Sequence, residues 1–342
     1  MADITEETMK KKLLLSTVAI LIMLLLLLVG YKERSYIPKI IKYIPFEHIQ
    51  AEKWTEDFHV VNIKSTKDSS MQKAYVFQST AKASQPLVVS LHQWSSNYQE
   101  YDKIANKVKE KNWNYIHPDF RGSNKNVEAC GSDLAIQDID DAIDFALSNF
   151  NCDKDKIYVI GVSGGGHAAL ASFMKSKHNI AEFSVWCPIS DIYWWYHQTK
   201  IRHLNYWKDI LICTNSLNGQ LNEIYAKSKS PIYWKTPTQK LTTTKLKIYA
   251  GVYDGIRGSV PITQSINFYN KVLTDIKCSD SSQYVNDCEI VHLLEKQTPL
   301  HNYGQIGNRK IIFKKEYKNV DITIFDGAHE LLPDIVLQTL NK

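Results

Sequence analysis

The stretch DKIYVIGVSGGGHAAL, residues 155–170, constrains the fold of this chain more than any other. Mostly apolar, β-branched residues lead into Gly-Val-Ser-Gly-Gly-Gly, and a helix-forming segment follows at once. Where a strand turns sharply into a helix, the two backbones pass close to each other. The residues on either side of the turn must therefore have small side chains. Gly161 and Gly165 meet this need around Ser163, and Gly164 and Gly166 add clearance. The pattern predicts a serine on a strained turn above the carboxyl edge of a sheet.

From about residue 57 the chain alternates between strand-like and helix-like segments. The run PLVVSL is continuously apolar, as in a strand buried on both faces, and residues 133–150 repeat isoleucines at helical spacing. Further strands are predicted around 57–66, 71–80 and 113–120, a helix over 98–112, and later strands in FSVWCPIS, LKIYAGVYD and VDITIFDGAH. Alternation of this kind predicts an α/β fold with a mostly parallel central sheet and helices on both faces.

The stretch 191–241 interrupts this alternation and is rich in aromatic residues. We interpret it as a small cap inserted over the sheet. The cap residues Trp194, Trp195 and Tyr196 either form an apolar or sugar-stacking wall for a substrate or pack the cap on the sheet, and the sequence leaves both readings open.

The N-terminal segment LLLSTVAILIMLLLLLVG, residues 13–30, carries no charge. As a helix it would be roughly 27 Å long, close to the hydrocarbon thickness of a bilayer. We predict a tail (1–12), a transmembrane signal anchor (13–30), a linker (31–56) and a catalytic domain (57–342). The short tail favours an exported domain, on the periplasmic or extracellular side. Secretion after signal cleavage is the alternative.

Composition narrows the classes of partner. The 342 residues carry a net charge of +5, and no basic run adjoins an aromatic platform, so nucleic-acid binding is not expected. The six cysteines have no CxxC or Cys/His spacing, and we predict neither a metal nor a cofactor. Cys278 and Cys288 flank a polar loop and are the favoured disulfide pair, with free thiols as the alternative. The oligomeric state is left open.

A serine hydroxyl is a poor nucleophile near neutral pH, so Ser163 needs an oriented base. Of the eleven histidines, His329 directly follows the last predicted strand, in FDGAH. Asp254 ends the strand LKIYAGVYD and is the favoured acid, with Asp191, after PISD, as its rival. The remaining candidates fit less well: His167 lies in the turn after the serine, Asp326 is too close in sequence to His329, and His292 and His301 lie in a polar insertion.

An oxyanion needs two hydrogen-bond donors. The amide of Gly164, at a helix N-terminus, is one candidate. The second is expected from the loop after PLVVSL, through the amide of Gln93 or Trp94.

Three segments together resemble a known family. DIDDAIDFALSNFNCDKDKIYVIGVSGGGHAAL, YAGVYDGIRGSVPI and FDGAHELLP look like the prolyl-oligopeptidase-like (peptidase S9 type) catalytic domain of the α/β-hydrolase superfamily, and NYIHPDFRGSN resembles another segment of that group. The resemblance implies an α/β-hydrolase fold and a triad of Ser163, Asp254 and His329. Two features depart from prolyl oligopeptidases: the segment before the first strands is too short for their β-propeller, and His92-Gln93-Trp94 stands where His-Gly-Gly is usual.

These features predict a membrane-anchored serine hydrolase that cleaves a carboxylic ester, or a peptide or amide bond, in a small-molecule ester or peptide substrate. A prolyl-oligopeptidase-like serine exopeptidase is the alternative within the same chemistry. A non-catalytic binding protein on a hydrolase scaffold is the alternative from another class. The Gly-rich turn reads GxSxGG rather than GxGxxG, which disfavours dinucleotide binding.

Overall fold

The computed structural model describes residues 53–340, which lie within one compact unit, Glu52–Lys342. The predicted transmembrane segment 13–30 lies outside the described residues. Within residues 53–340, no helix is both long enough and apolar enough to cross a bilayer.

A ten-stranded sheet runs through the domain in the order β1-β2-β4-β3-β5-β6-β7-β10-β9-β8. Neighbouring strands from β4 to β10 in this order are parallel, and the outer strands on both sides pair antiparallel. The strands are β1 His59–Lys64, β2 Met71–Phe77, β3 Gln85–Leu91, β4 Asn114–Pro118, β5 Cys152–Val162, β6 Glu182–Trp186, β7 Lys245–Gly251, β8 Gln305–Ile306, β9 Arg309–Tyr317 and β10 Val320–Phe325. The predicted mostly parallel α/β-hydrolase-like sheet is confirmed.

Helices cover both faces of the sheet. They are α1 Ala105–Glu110, α2 Asp133–Asn149, α3 Gly164–Lys175, α4 Ile192–Ile201, α5 Tyr206–Cys213, α6 Glu223–Ser228, α7 Ile262–Asp275, α8 Asp287–Glu295 and α9 Pro333–Thr339. Side chains of the central strands alternate between two cores: Val159 packs with α2, α3 and α7, whereas Tyr158 and Ile160 pack with α1 and α9. Apolar residues at consecutive positions of β5 are therefore required by burial on both faces.

The register of the parallel strands brings their carboxyl ends to one edge. Leu91 of β3 is paired with Gly161 of β5, Val162 with Trp186 of β6, and Gly251 of β7 with Phe325 of β10. Residues that follow these strands therefore emerge beside one another, whatever their separation in sequence.

The segment between β6 and β7, interpreted from its sequence as a cap, contains α4, α5, α6 and two short 3₁₀ helices. It has a small apolar core of its own, which includes Trp195, Ile210 and Cys213 and extends to Trp94 and Cys130 of the hydrolase domain.

Two expectations were wrong in detail, and the polar insertion contains elements that were not predicted. The helix predicted over 98–112 is limited to Ala105–Glu110. The polar insertion contains helix α8, which begins with a capping box between Asn286 and Glu289. The hairpin β8–β9 follows this helix. The predicted Cys278–Cys288 disulfide is absent: Cys278 is buried after α7, Cys288 is exposed on α8, and the two are not bonded to each other.

Candidate active site

Ser163 lies on the turn between β5 and α3 with φ 59° and ψ −117°. A non-glycine residue at positive φ is strained, and the surrounding hydrogen bonds hold it there. The Ser163 amide donates to the Trp186 carbonyl at 2.9 Å, and the Ser163 carbonyl accepts from the His167 amide at 2.9 Å. The turn thus has the geometry of a nucleophile elbow.

Glycines allow the close approaches that this turn requires. A Cβ at Gly161 would overlap the backbone of Gly165, as expected for a strand and helix that meet at the turn. A Cβ at Gly164 would overlap the backbone nitrogen and Cα of Trp94. The start of α3 and the loop after β3 are therefore in direct backbone contact.

His329 and Asp254 form the central polar contact of the site. His329 Nδ1 lies 2.7 Å from Asp254 Oδ2. The Asp254 side chain is almost fully buried, and its other oxygen accepts from the amides of Gly255 at 2.9 Å and Val260 at 3.0 Å. A carboxylate with three donors is rigidly oriented, and it fixes the ring of the histidine bonded to it.

The rival residues are engaged elsewhere. Asp191 caps the N-terminus of α4 through the Trp194 amide and accepts from the Tyr233 hydroxyl at 2.9 Å. His167 is buried with Nδ1 2.9 Å from the Ile189 carbonyl. His292 is half-buried, with Nε2 2.8 Å from the Thr298 carbonyl, and His301 is exposed. Asp326 follows β10, and its amide donates to Lys310 in the neighbouring strand.

Cys187 also lies at this edge, although no sequence motif points to it. Its Sγ, an Asp254 carboxylate oxygen and a His329 ring nitrogen all lie within 4.8 Å of one another, so the three could share a metal ion. Burial, and then the charge of Asp254, raise the pKa of the Cys187 thiol well above its usual value. The thiol contacts the carbonyls of Ala328 at 3.7 Å and Glu330 at 3.6 Å. A protonated thiol in these contacts supports the loop that carries His329, whereas a metal ligand would be the thiolate.

Trp94 is the better placed of the two predicted donors in the loop after β3. Its backbone lies against Gly164, and its carbonyl accepts from the Asn124 amide at 2.8 Å. The Trp94 indole donates to Asp209 of α5 at 3.2 Å. The Gln93 side chain is exposed and its amide group lies 3.4 Å from Glu100. The backbone nitrogen of Trp94 therefore lies against the backbone of Gly164, the residue that follows Ser163.

A cavity of about 280 Å³ adjoins this edge of the sheet. Its lining includes Gly161 and Val162, directly before Ser163, together with Gln93 and His329. Within residues 53–340, no direct hydrogen bond joins the Ser163 hydroxyl to His329. Contacts of this kind are often loose in unliganded hydrolases and tighten when substrate binds.

Two of the three cap aromatics have the packing role. Trp195 and Tyr196 are buried in the cap core, and the Trp195 indole donates to the Ser259 carbonyl at 3.0 Å. Trp194 is half exposed. Arg202, which follows α4, donates to the carbonyls of Gly255 at 2.8 Å and Gly258 at 3.0 Å. Through Arg202 the cap thus holds the loop that carries Asp254. No sequence pattern indicated this role for Arg202.

A family model supplies the decisive comparison. The model named BD-FAE matches residues 75–272, more than half of the chain, and includes the Ser163 turn and Asp254. The chain belongs to the BD-FAE family. Its described residues have an α/β-hydrolase-like fold. No curated protein matches this BD-FAE chain in sequence.

Solved structures share the fold of this BD-FAE member at low sequence identity. The uncomplexed acylaminoacyl peptidase of Pyrococcus horikoshii aligns with a TM-score of 0.56 and 18% identity over 84% of this chain and 41% of that one. An acylaminoacyl peptidase in complex with Z-Gly-Gly-Phe-chloromethyl ketone gives 0.52 and 19% over 64% and 35%. Apo prolyl oligopeptidase B from Galerina marginata gives 0.51 and 14% over 69% and 35%. The chain thus spans about two fifths or less of the length of these proteins.

Proposed function

We propose that the chain is a membrane-anchored hydrolase that cleaves a carboxylic ester through an acyl-enzyme, with Ser163, Asp254 and His329 as its triad. The observation that carries the proposal is the 2.7 Å contact between His329 Nδ1 and the buried Asp254, at the sheet edge where Ser163 stands on its strained turn.

In the first half-reaction, Ser163 Oγ attacks the substrate carbonyl carbon while His329 Nε2 takes the hydroxyl proton. Asp254 stabilises the imidazolium through Nδ1. The amides of Gly164 and Trp94 donate to the oxyanion of the tetrahedral intermediate. Collapse expels the alcohol, which takes the proton from His329, and leaves Ser163 acylated.

In the second half-reaction, water gives a proton to His329 Nε2 as its oxygen attacks the acyl carbon. Breakdown of the second tetrahedral intermediate returns this proton to Ser163 Oγ and releases the carboxylic acid. No group beyond the chain and water is consumed.

Two observations bear on the substrate. The cavity beside His329 is small, near the lower end of the range for ligand sites, which favours a short acyl or leaving group. Its lining also includes the carboxylates of Glu100 and Asp102, which could face a substrate amine. Asp102 accepts from the Tyr115 hydroxyl at 2.6 Å, so Glu100 is the freer of the two. These carboxylates favour the second candidate, a serine exopeptidase that acts on substrates with a free amine.

Anchoring is proposed on the uncharged segment 13–30, with the hydrolase domain on the exported side and secretion after cleavage as the alternative. Fractionation of cells that express the full chain, followed by alkaline carbonate extraction, tests it. An anchored chain stays in the membrane pellet at full length, and a cleaved one appears in soluble exported fractions at lower mass.

A fluorophosphonate probe tests the triad. The full-length chain should be labelled on Ser163, and Ser163→Ala should lose the label together with all turnover. Ser190→Ala, a buried serine that follows β6, is the matched control and should keep both. Labelling of the Ser163→Ala chain at another residue would refute the assignment. This test also excludes the non-catalytic binding protein if labelling occurs.

A panel of short acyl esters and aminoacyl anilides then separates the two candidates. Turnover of esters with little or no turnover of anilides supports the esterase. Turnover of anilides alone, reduced by Glu100→Gln, would establish the exopeptidase instead.

A further inference from the structure

Two cysteines that take no part in the proposed chemistry meet in the interior, between the cap and the hydrolase domain. Cys130 lies in the loop before α2, and Cys213 is the last residue of α5 in the cap. Both are fully buried, and their Sγ atoms are 3.1 Å apart. The Cys213 thiol also contacts the backbone of its own helix, with Sγ 3.6 Å from the Ile210 carbonyl.

His167 and Lys229 surround this pair. Among the described residues, His167 Nε2 is buried without a hydrogen-bond partner, and it faces Gly131, the residue next to Cys130. The buried Lys229 ammonium donates to the Val127 carbonyl at 2.7 Å and lies 3.5 Å from the Cys130 carbonyl. A basic ring and a cation beside one thiol are the surroundings that favour a thiolate.

The two thiols differ in acidity. Burial by itself would raise the pKa of Cys130, but the hydrogen bond from Cys213, the contact with His167 and the charge of Lys229 lower it below its usual value. Burial raises the pKa of Cys213 well above its usual value. In the folded domain Cys130 is thus the more acidic of the two thiols.

We propose that Cys130 and Cys213 form a disulfide that ties the cap to the loop in front of α2. A disulfide S–S bond is about 2.05 Å long, so the sulfurs need to approach by about 1 Å. No other pair of cysteines in the described residues is recorded in contact.

The bond forms by thiol–disulfide exchange with an oxidised disulfide, such as glutathione disulfide or an oxidised thiol–disulfide oxidoreductase. The Cys130 thiolate attacks one sulfur of the oxidant, forms a mixed disulfide and releases one thiolate, which takes up a proton from solvent. Cys213 then loses its proton, and its sulfur attacks Cys130 Sγ and releases the second thiol. The protein loses two electrons and the oxidant gains two. Because both cysteines are buried in the folded domain, exchange takes place while the chain folds.

The test is peptide mapping of the full-length chain, unfolded and then refolded in mild detergent with a glutathione redox buffer. Free thiols are alkylated under denaturing conditions before digestion. We expect the Cys130 peptide joined to the Cys213 peptide, with Cys152, Cys187, Cys278 and Cys288 alkylated. Alkylation of both Cys130 and Cys213, or a link from either one to a different cysteine, would overturn the proposal.

Variants supply the controls. Cys288→Ser should keep the link, while Cys213→Ser should leave Cys130 alkylated. The bond closes a loop between residues 83 positions apart, which predicts a melting temperature about 5–10 °C higher for the oxidised than for the reduced chain. The double variant Cys130→Ala/Cys213→Ala should melt at one temperature in both buffers. An oxidised chain that melts no higher than the reduced one would contradict a bond that ties the cap. None of these readouts depends on the activity of Ser163.

Discussion

Gly164→Ala tests the proposed oxyanion donors by the smallest change that the chain permits. The added Cβ would lie about 1 Å closer to the Trp94 backbone than the 3.4 Å of ordinary contact. Both neighbours are backbone atoms, so no side-chain rotation relieves the overlap, and the start of α3 and the loop after β3 must separate by roughly that amount. An N–H···O distance of about 2.9 Å would then approach 3.9 Å, beyond hydrogen-bond range.

Loss of one such donor costs about 2.7–4 kcal/mol in the transition state, so kcat should fall by about 10²–10³. KM should change little, because the interaction forms only as the oxyanion develops. The assays are turnover of the best ester in the panel and, independently, the rate of labelling by the fluorophosphonate. Helix propensity alone favours Ala over Gly by about 1 kcal/mol, so this prediction runs against the simple expectation for a helix.

The matched control is Gly304→Ala. Gly304 has φ +78° and no atom within 4 Å of an added Cβ, so the change adds backbone strain without a clash and should leave kcat unaltered. A folded Gly164→Ala chain with wild-type kcat would show that the amides of Gly164 and Trp94 do not stabilise the oxyanion.

Two further changes test the acid of the proposed triad and a half-buried carboxyl group elsewhere in the domain. Asp254→Asn removes the acceptor for His329 Nδ1, so kcat should fall by about 10⁴ while circular dichroism shows that the fold is retained. The control Asp191→Asn, at the cap, should lower kcat far less. Equal losses of kcat would remove the reason to prefer Asp254. Burial and the nearby charge of Glu316 raise the pKa of Asp321 to about 6, so the folded chain holds this proton more tightly than the unfolded chain does. The stability gained in this way is complete below about pH 4 and is lost as the pH rises through 6. Relative to wild type, Asp321→Asn should therefore gain melting temperature between pH 4 and pH 7.5, and a difference that stays constant with pH would contradict this pKa.

The parts of the fold and site that could be predicted are those that local chemistry determines. The Ser163 turn is visible because glycines are required where strand and helix meet, and the apolar runs of β3 and β5 are visible because both faces are buried. The pairing of Asp254 with His329 followed from their positions after successive strands of a parallel sheet, whose ends converge.

The parts that could not be predicted depend on packing between distant segments. Cys187 and Arg202 form hydrogen bonds to backbone carbonyls of other loops. Contacts of this kind cannot be predicted from the residue type. The Cys278–Cys288 pairing was wrong because short sequence separation does not fix the directions of two Cβ atoms. The aromatic cap residues were ambiguous because a buried tryptophan and a substrate-facing one have the same composition.

The cap has a consequence for how variants of this enzyme would differ. Asp209 in the cap accepts a hydrogen bond from the Trp94 indole. Arg202 and Trp195 donate hydrogen bonds to carbonyls of the loop that carries Asp254. Lids are commonly regarded as selectors, whose replacement alters which molecules are admitted. Here an exchanged lid would also shift the alignment of the proposed amide donor and the proposed triad carboxylate, so transplanting it between relatives should disturb the chemical step as well as the choice of substrate.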